Sequence, residues 1–416
     1  MVIESARRIE PARVEDAPVE LANVIAELSA KSAVLESALD ARTAASLAHM
    51  VRVMNTYYSN LIEGHFTRPR DIERALTEPT GRTDEIPRAP PIGVGEGADA
   101  AARSLLTEAV AHVRVQEEID RLYAARQLPE PASPDFLMWL HREFYRGASE
   151  DMLKIRGAGK EFLMAPGAWR SEPRHDVRVG RHQPPSSDRV SDIMAHFAAR
   201  YRLQDLGKAA RILAIPAAHH RFNYIHPFPD GNGRVSRLMS HAMAHVAGVG
   251  AHGLWSVSRG LARGLKDRSE YKMMMDRTDQ ERQGDLDGRG NLSERALVEF
   301  CLWFLRVCLD QVEFMSGLFD IGALAARLRA YVERSGTLRV ESARLLEEAL
   351  VRGAFDRGDI ARITGLPERT ARRALNDAIA EGLLASDTPR GPMSLRFPAK
   401  AEDILFPRLF WNRDGL

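Results

Sequence analysis

Cysteine is nearly missing from this chain: 416 residues contain two, Cys301 and Cys308. Seven positions apart in a segment with helical periodicity, they would lie roughly 10 Å apart along a helix axis, too far to bridge to each other. A disulfide scaffold is excluded, and both read as reduced core residues, the expectation for a cytoplasmic protein. Long apolar runs are missing too. No segment is long enough to span a bilayer, and the opening MVIESARRIEPARVED mixes acids and bases where a signal peptide would carry an apolar core. An excess of one charge is also absent, with 58 Lys and Arg against 57 Asp and Glu. The chain as a whole therefore lacks the basic surplus of a strong nucleic-acid or membrane-surface binder, so any anion site must be local. No internal repeat or low-complexity tract is visible, which excludes solenoid architectures.

What is present is helical pattern. Such a length calls for two or three domains. From about Val19 to Gly64 apolar residues recur at three- and four-residue spacing (Leu21, Val24, Ile25, Leu28, then Leu47, Val51, Met54, Tyr58, Leu61), which predicts a helical hairpin. The Pro/Gly-rich EPTGRTDEIPRAPPIGVGEGAD cannot continue a helix and reads as a long surface connection. Helical patterns resume near Ala98 to Arg126 and Ser133 to Tyr145, and continue through most of the chain to Leu350. The one convincing β-like interruption is HDVRVGRHQPPSSDRV, where Val177 and Val179 alternate with charged residues before a Pro pair; it reads as a short hairpin or flap.

The densest chemistry lies in HPFPDGNGRVSR, His226 to Arg237. Gly231-Asn232-Gly233 sits directly before an amphipathic run (Val235, Leu238, Met239, Ala242, Met243, Val246), so it is a loop feeding a helix N-terminus. Such a junction presents unpaired N–H groups and the positive end of the helix dipole, both favourable to phosphate. Arg234 and Arg237 add guanidinium forks. Asp230 is an anion beside an anion site, which makes sense with a Mg²⁺ between it and phosphates. His226 can take a proton near neutral pH and activate an attacking hydroxyl. Pro227 and Phe228 pin the loop, the ring being buried rather than catalytic. A polar loop before a solvated helix would explain the glycines alone. Base, acid, glycine-lined anion nest and two arginines together supply every role of a metal-assisted nucleotidyl transfer.

This stretch resembles the signature of the Fic family, histidine-x-Phe-x-Asp/Glu-Gly-Asn-Gly-Arg-x-x-Arg, at every defined position. HHRFNYIHPF before it, and VRVGRHQPP where family members carry a substrate-aligning flap, are similar as well. The resemblance implies an AMP transferase: ATP is cleaved between its α- and β-phosphates, AMP passes to a Ser, Thr or Tyr hydroxyl of a target protein, and pyrophosphate leaves. His226 would be the general base, Asp230 the Mg²⁺ holder, and Gly231, Asn232 and Gly233 the anion nest. Arg234 would contact phosphate and Arg237 hold the γ-phosphate. A second stretch, TYYSNLIEGHFTRP, places Ser59 and Glu63 four apart on one helical face before Gly64. A carboxylate near the negative end of a helix dipole is locally unfavourable, which a partner cation would explain. The stretch resembles the Ser/Thr-x-x-x-Glu-Gly/Asn inhibitory motif of Fic proteins with an N-terminal inhibitory helix. By that resemblance Glu63 pairs with Arg237 and takes the γ-phosphate position, so that ATP binds unproductively.

Weaker signals remain. Tyr271, in RSEYKMMM, stands where family members use an aromatic near the adenine, although a core Tyr packed with Met273 to Met275 explains it equally well. An Asn common in the family eight residues beyond is here Asp279. QERQGDLDGRGNLSE has Asp285 and Asp287 but fails the EF-hand spacing, and reads as a polar loop with Asn291 capping the next helix and Glu294 at its third position. His219 and His220 are adjacent, point to different faces and read as a packing pair rather than metal ligands.

From Asp356 the pattern changes. Ile360 and Ile363, a Gly365 turn, and Pro367 opening a helix with Ala371, Ala374, Leu375 and Ile379 predict a helix-turn-helix, and ASDTPRGP with SLRF suggests a wing. Arg369, Arg372 and Arg373 could face a DNA groove. Between Asp356 and Arg396, however, seven arginines meet six acids with no lysine, a thin footprint for phosphate-driven binding, so dimerisation or target docking competes with DNA contact. The expected fold class is mainly α: an N-terminal helical region over 1–125, a Fic-type core with a short β-hairpin flap over 126–320, and a winged helix-turn-helix over 325–416. The expected partners are ATP with Mg²⁺ and a target protein, which includes the chain itself; a homodimer is common in similar proteins. Two rival classes stand beside AMP transfer: removal of AMP or transfer of another phosphate-containing group, and a DNA-binding regulator whose core senses nucleotide.

Overall fold

The computed structural model describes residues 5–77, 96–157 and 160–410; the side chains of 96–103 and 399 lie outside that description. So does most of the Pro/Gly-rich passage expected as a surface connection. The protein is mainly helical, and its contacts divide it into two compact units that interleave along the chain. The first comprises 1–30, 55–250 and 256–311, the second 31–54, 251–255 and 312–416. Among the described residues no helix is long and apolar enough to cross a membrane.

In chain order, α1 (Val19–Ser37) and α2 (Ala41–Ile62) are the helices of the expected hairpin, followed by α3 (Pro69–Thr77), α4 (Glu96–Ala124) and α5 (Pro134–Phe144). The one-turn α6 (Glu150–Leu153) leads into β1 (Lys154–Gly157) and β2 (Lys160–Leu163). Then come α7 (Val190–Arg200), α8 (Lys208–Ile225), α9 (Asn232–Val246), α10 (Val257–Arg263), α11 (Glu270–Thr278) and α12 (Glu294–Leu318). Local chemistry sets several boundaries. Ser133 caps α5, its Oγ accepting from the Phe136 N–H, with Pro134 pre-set at the first helical position. α2 ends in a Schellman motif: His65 N–H donates to Asn60 O (2.9 Å), Gly64 N–H to Leu61 O (3.1 Å), and Gly64 takes φ +84°. Glu63 is thereby the C-cap residue of α2. α8 and α9 pack on each other at the centre of the first unit, burying Ile212, Phe222, Leu238, Met239 and Met243; each such side chain contributes about 1.5–3 kcal/mol.

Two local expectations change. A β hairpin not expected from the sequence forms earlier in the chain, as β1 paired antiparallel with β2, Ile155 opposite Phe162. The Val177–Val179 segment makes only one bridge, Val179 to His182, around Gly180 at φ +58°, because the Pro pair after His182–Gln183 removes the N–H groups a longer ladder needs. The cap of α12 is Ser293, whose Oγ accepts from Ala296 N–H (3.1 Å), supported by Asp287 accepting from Arg295 N–H (2.9 Å). Asn291 stands two residues too early and instead donates to Arg8 O.

The second unit holds α13 (Ile321–Ser335), α14 (Ser342–Arg352), α15 (Ile360–Thr364) and α16 (Glu368–Ala380). They are followed by an antiparallel pair, β3 (Leu384–Ala385) and β4 (Ser394–Leu395), and by α17 (Glu402–Leu405). α15 ends at Gly365 in the left-handed region, and Ala371, Ala374, Leu375 and Ala378 form the buried stripe of α16.

Candidate active site

The site forms where α8 stops and α9 starts. His226 caps α8 in the left-handed region (φ 51°, ψ 58°), a conformation that costs a non-glycine residue about 1–2 kcal/mol and so requires support. Arg170 supplies it. Its buried guanidinium donates to His226 O (2.7 Å), Ile225 O (3.2 Å), Pro185 O (3.0 Å) and Ser187 Oγ (3.0 Å), and its own N–H donates to Pro227 O (2.8 Å). One residue thus joins the His226 turn to the base of the Val177–Pro185 segment. No local motif announces Arg170, because its partners lie up to 57 residues away.

Burial, with the nearby Arg170 charge, pushes the His226 imidazole down to about 4 despite a hydrogen bond to the Asn223 backbone. At neutral pH it is uncharged, with one ring nitrogen engaged by that bond and the other able to accept a proton. Asn232 closes the loop reciprocally: Phe228 N–H donates to its Oδ1 (2.9 Å) and its Nδ2 donates to Phe228 O (2.8 Å). The Phe228 ring is fully buried and stacks on His141 at 3.9 Å. Gly231 has φ +79°, and a Cβ there would stand 3.0 Å from the Tyr145 ring, so both conformation and space demand glycine.

The two arginines part company. Arg234 is buried and pairs with Glu108 of α4, with Asp230 Oδ2 (3.0 Å) and with Tyr145 Oη (3.0 Å). Tyr145 in turn donates to Asp230 Oδ2 (2.7 Å). Burial raises Asp230, but the Arg234 charge and the Tyr145 and Gly231 hydrogen bonds outweigh it, so the carboxylate is ionised; its side chain is 49% exposed. Arg237 is 1% exposed and is held by a single turn of α2: Nε donates to Ser59 Oγ (2.9 Å), and Nη2 to Ser59 O (3.3 Å) and Glu63 Oε1 (2.7 Å). The Glu63 carboxylate lies directly over Gly233, where any Cβ would overlap Oε1. An anion therefore occupies the glycine-lined mouth at the N-terminus of α9. Burial raises Glu63, and the Arg237 charge and hydrogen bond, with Arg234, bring it below the usual carboxylate range.

Tyr271 is buried, donates to or accepts from His219 Nε2 (2.8 Å) and stacks against Trp303. His219 also meets Ser240 Oγ (2.9 Å), and His220 meets Met275 O (3.2 Å) and Asp279 (3.2 Å), so both histidines are satisfied packing residues. The polar supports Arg170, Tyr145, Glu108 and His141 carry no sequence signature and are recognised only by position. The polar inner face of α2 docks on α4 through Thr56 Oγ1 and His112 Nδ1 (2.9 Å) and through Asn55 Nδ2 donating to Gln116 Oε1 (2.5 Å).

Residues 131–244 match the Fic/DOC family. Over 75 residues, 18% of this chain, the sequence is 36% identical to a protein adenylyltransferase Fic of Aedes aegypti and 35% identical to that of Culex quinquefasciatus. The chain spans about 15% of the length of those relatives. A Fic family protein from Desulfovibrio desulfuricans G20 shares the fold with a TM-score of 0.51 at 17% identity, over 91% of this chain and 97% of that one.

Proposed function

We infer that this chain, which carries a Fic domain over residues 131–244, transfers AMP from ATP to a protein hydroxyl and is held inactive by its own α2. The reading rests above all on the Glu63 carboxylate seated between Gly233 and Arg237: an anion seat, presently filled from within the chain, at a helix N-terminus beside a neutral histidine.

In the proposed reaction, the free nitrogen of His226 takes the proton of an acceptor Ser, Thr or Tyr hydroxyl, and the oxygen attacks the α-phosphorus. The bond from that phosphorus to the bridging β-oxygen breaks, and pyrophosphate carries away the electron pair. The N–H groups at the start of α9 and the Arg237 guanidinium neutralise phosphate charge. Asp230 is an ionised, half-exposed oxygen donor, which fits a Mg²⁺ site. When bound there the ion supplies charge neutralisation to the phosphates. The exposed Val177–His182 turn would align the acceptor chain through its unpaired backbone edge. ATP with its γ-phosphate in place needs the position Glu63 holds, so inhibition is competition for Arg237.

The test is incubation of the full chain and its Glu63→Gly variant with α-labelled ATP. Label on the chain or on an added protein supports transfer. Label absent from both proteins favours removal of AMP or nucleotide sensing. A second reading concerns the C-terminal elements, proposed as a winged helix-turn-helix. Arg369, Arg372, Arg373 and Asn376 line one exposed concavity on α16, which favours contact with an acidic partner such as duplex DNA, although Glu368 also lines it and pairs with Arg372. Salt-dependent binding of a duplex by the full chain, lost on Arg369→Ala/Arg373→Ala, would support it; its absence would favour protein docking.

A further inference from the structure

α9 does not end its polar row at Arg237. One and two turns further on stand His241 and His245, four residues apart on the same face, in the sequence HAMAH. Both rings converge on a carboxylate from another helix. His241 Nε2 is 2.7 Å and His245 Nε2 3.0 Å from the same Oδ1 of Asp120 in α4, and the two Nε2 atoms are 3.2 Å apart. The rings meet edge to face with centroids 4.6 Å apart. Tyr123 stacks on His245 at 4.6 Å, and Gly250 leaves room for it, since a Cβ there would stand 2.5 Å from its Nδ1. All three side chains are largely buried, at 7%, 1% and 15% exposure.

We propose that Asp120, His241 and His245 form a binding site for a divalent transition-metal ion of the zinc class, separate from the nucleotide pocket, that ties α4 to α9. The donor set of two imidazoles and one carboxylate is the kind zinc takes, with a fourth position open, and imidazole donors disfavour Mg²⁺ and Ca²⁺. Two histidines four apart on one helical face are a standard way to present such donors. Ligand atoms about 2.0–2.2 Å from a tetrahedral zinc lie about 3.3 Å from one another, so the observed triangle needs to open by at most about 0.6 Å. The two Nε2 atoms stand 3.2 Å apart, close to the separation that two nitrogens bound to one zinc ion keep.

The placement gives the ion a consequence. α4 also carries Glu108, the partner of Arg234, and His112 and Gln116, which seat the Asn55–Thr56 face of α2. A cross-link at the C-terminal end of α4 fixes the strut against which both the motif helix and the inhibitory turn rest.

The full-length chain, stripped with a chelator and desalted, is titrated with Zn²⁺ alone and bound metal counted by elemental analysis. About one zinc per chain is expected, with a rise in Tm. His245→Gln and Asp120→Asn should each weaken binding by more than about 100-fold, beyond the effect of losing an outer-shell partner, and remove the Tm rise. Asp230→Asn, which alters the nucleotide pocket, should keep the zinc. Co²⁺ added to the wild-type chain, which requires no folded variant, should give the strong visible absorption of a four-coordinate site. Failure of the wild-type chain to retain zinc at micromolar concentration, a Co²⁺ spectrum no different from free aqueous Co²⁺, or undiminished zinc binding in His245→Gln would overturn the proposal.

Discussion

Glu63→Gly separates inhibition from simple structural support. The carboxylate makes one 2.7 Å charge-assisted hydrogen bond to Arg237, and its side chain is 34% exposed. Such bonds contribute about 1.5–3 kcal/mol when buried, and partial exposure reduces this to about 1–2 kcal/mol. That is the free energy a γ-phosphate must displace, so its removal should tighten ATP binding by roughly 5- to 30-fold. The backbone of the α2 cap tolerates glycine at this position, so the Schellman hydrogen bonds persist. Stability should move the opposite way: Arg237 stays buried, keeping hydrogen bonds to Ser59 and Tyr271 but losing its carboxylate counter-charge, which predicts a lower Tm in the absence of nucleotide. A non-hydrolysable ATP analogue should then raise Tm further in the variant than in the wild type. Binding is read by calorimetry with that analogue, and transfer by α-labelled ATP. Equal ATP affinity with equal labelling in the two proteins would refute the competition between Glu63 and phosphate for Arg237.

Four further outcomes follow from the geometry. His226→Ala should lower transfer by at least about 100-fold with an unchanged circular dichroism spectrum, because only the base is lost; full activity would exclude it as the base. In the Glu63→Gly background, the acid limb of the kcat/KM profile should fall near pH 4 rather than 6.5, since His226 is depressed to about 4 and must be neutral to act; activity is present above that value and lost as pH falls through it. Arg170→Met should cost about 3 kcal/mol or more, visible as a large Tm drop, by leaving buried carbonyls of Pro185, Ile225 and His226 without a donor. Gly231→Ala should cost about 1–3 kcal/mol and impair transfer, since it puts a Cβ at φ +79° against Tyr145.

The twelve residues from His226 to Arg237 were legible in the sequence because their chemistry is local: a loop, a helix start and side chains at fixed offsets along one strand of chain. The same holds for the end of α2, where Gly64 stops the helix and leaves Glu63 at its C-cap. The short hairpin expected at Val177–Val179 is limited to one antiparallel bridge because its alternation runs over so few residues, while the Lys154–Leu163 pair, with no clear alternation in the sequence, was missed. The α12 cap was displaced by two residues for a similar reason, since Asn291 and Ser293 are equally good cap residues and only the helix start distinguishes them.

Sequence alone therefore determined the identities and local order of the groups proposed to react, and the helical class of the chain that carries them. Tertiary structure decided their allegiances. Arg234 turns to Glu108, 126 residues away, while Arg237 turns to Glu63, 174 residues away, although the two arginines differ in sequence only by position. His241 and His245 stand four apart in the sequence, a spacing that was not singled out there and that says nothing of Asp120, which completes them from 121 residues upstream. The physical reason is common to all three: a buried charge must find its counter-charge, and which one it finds depends on the helix packed opposite it, which no periodicity along a single segment records.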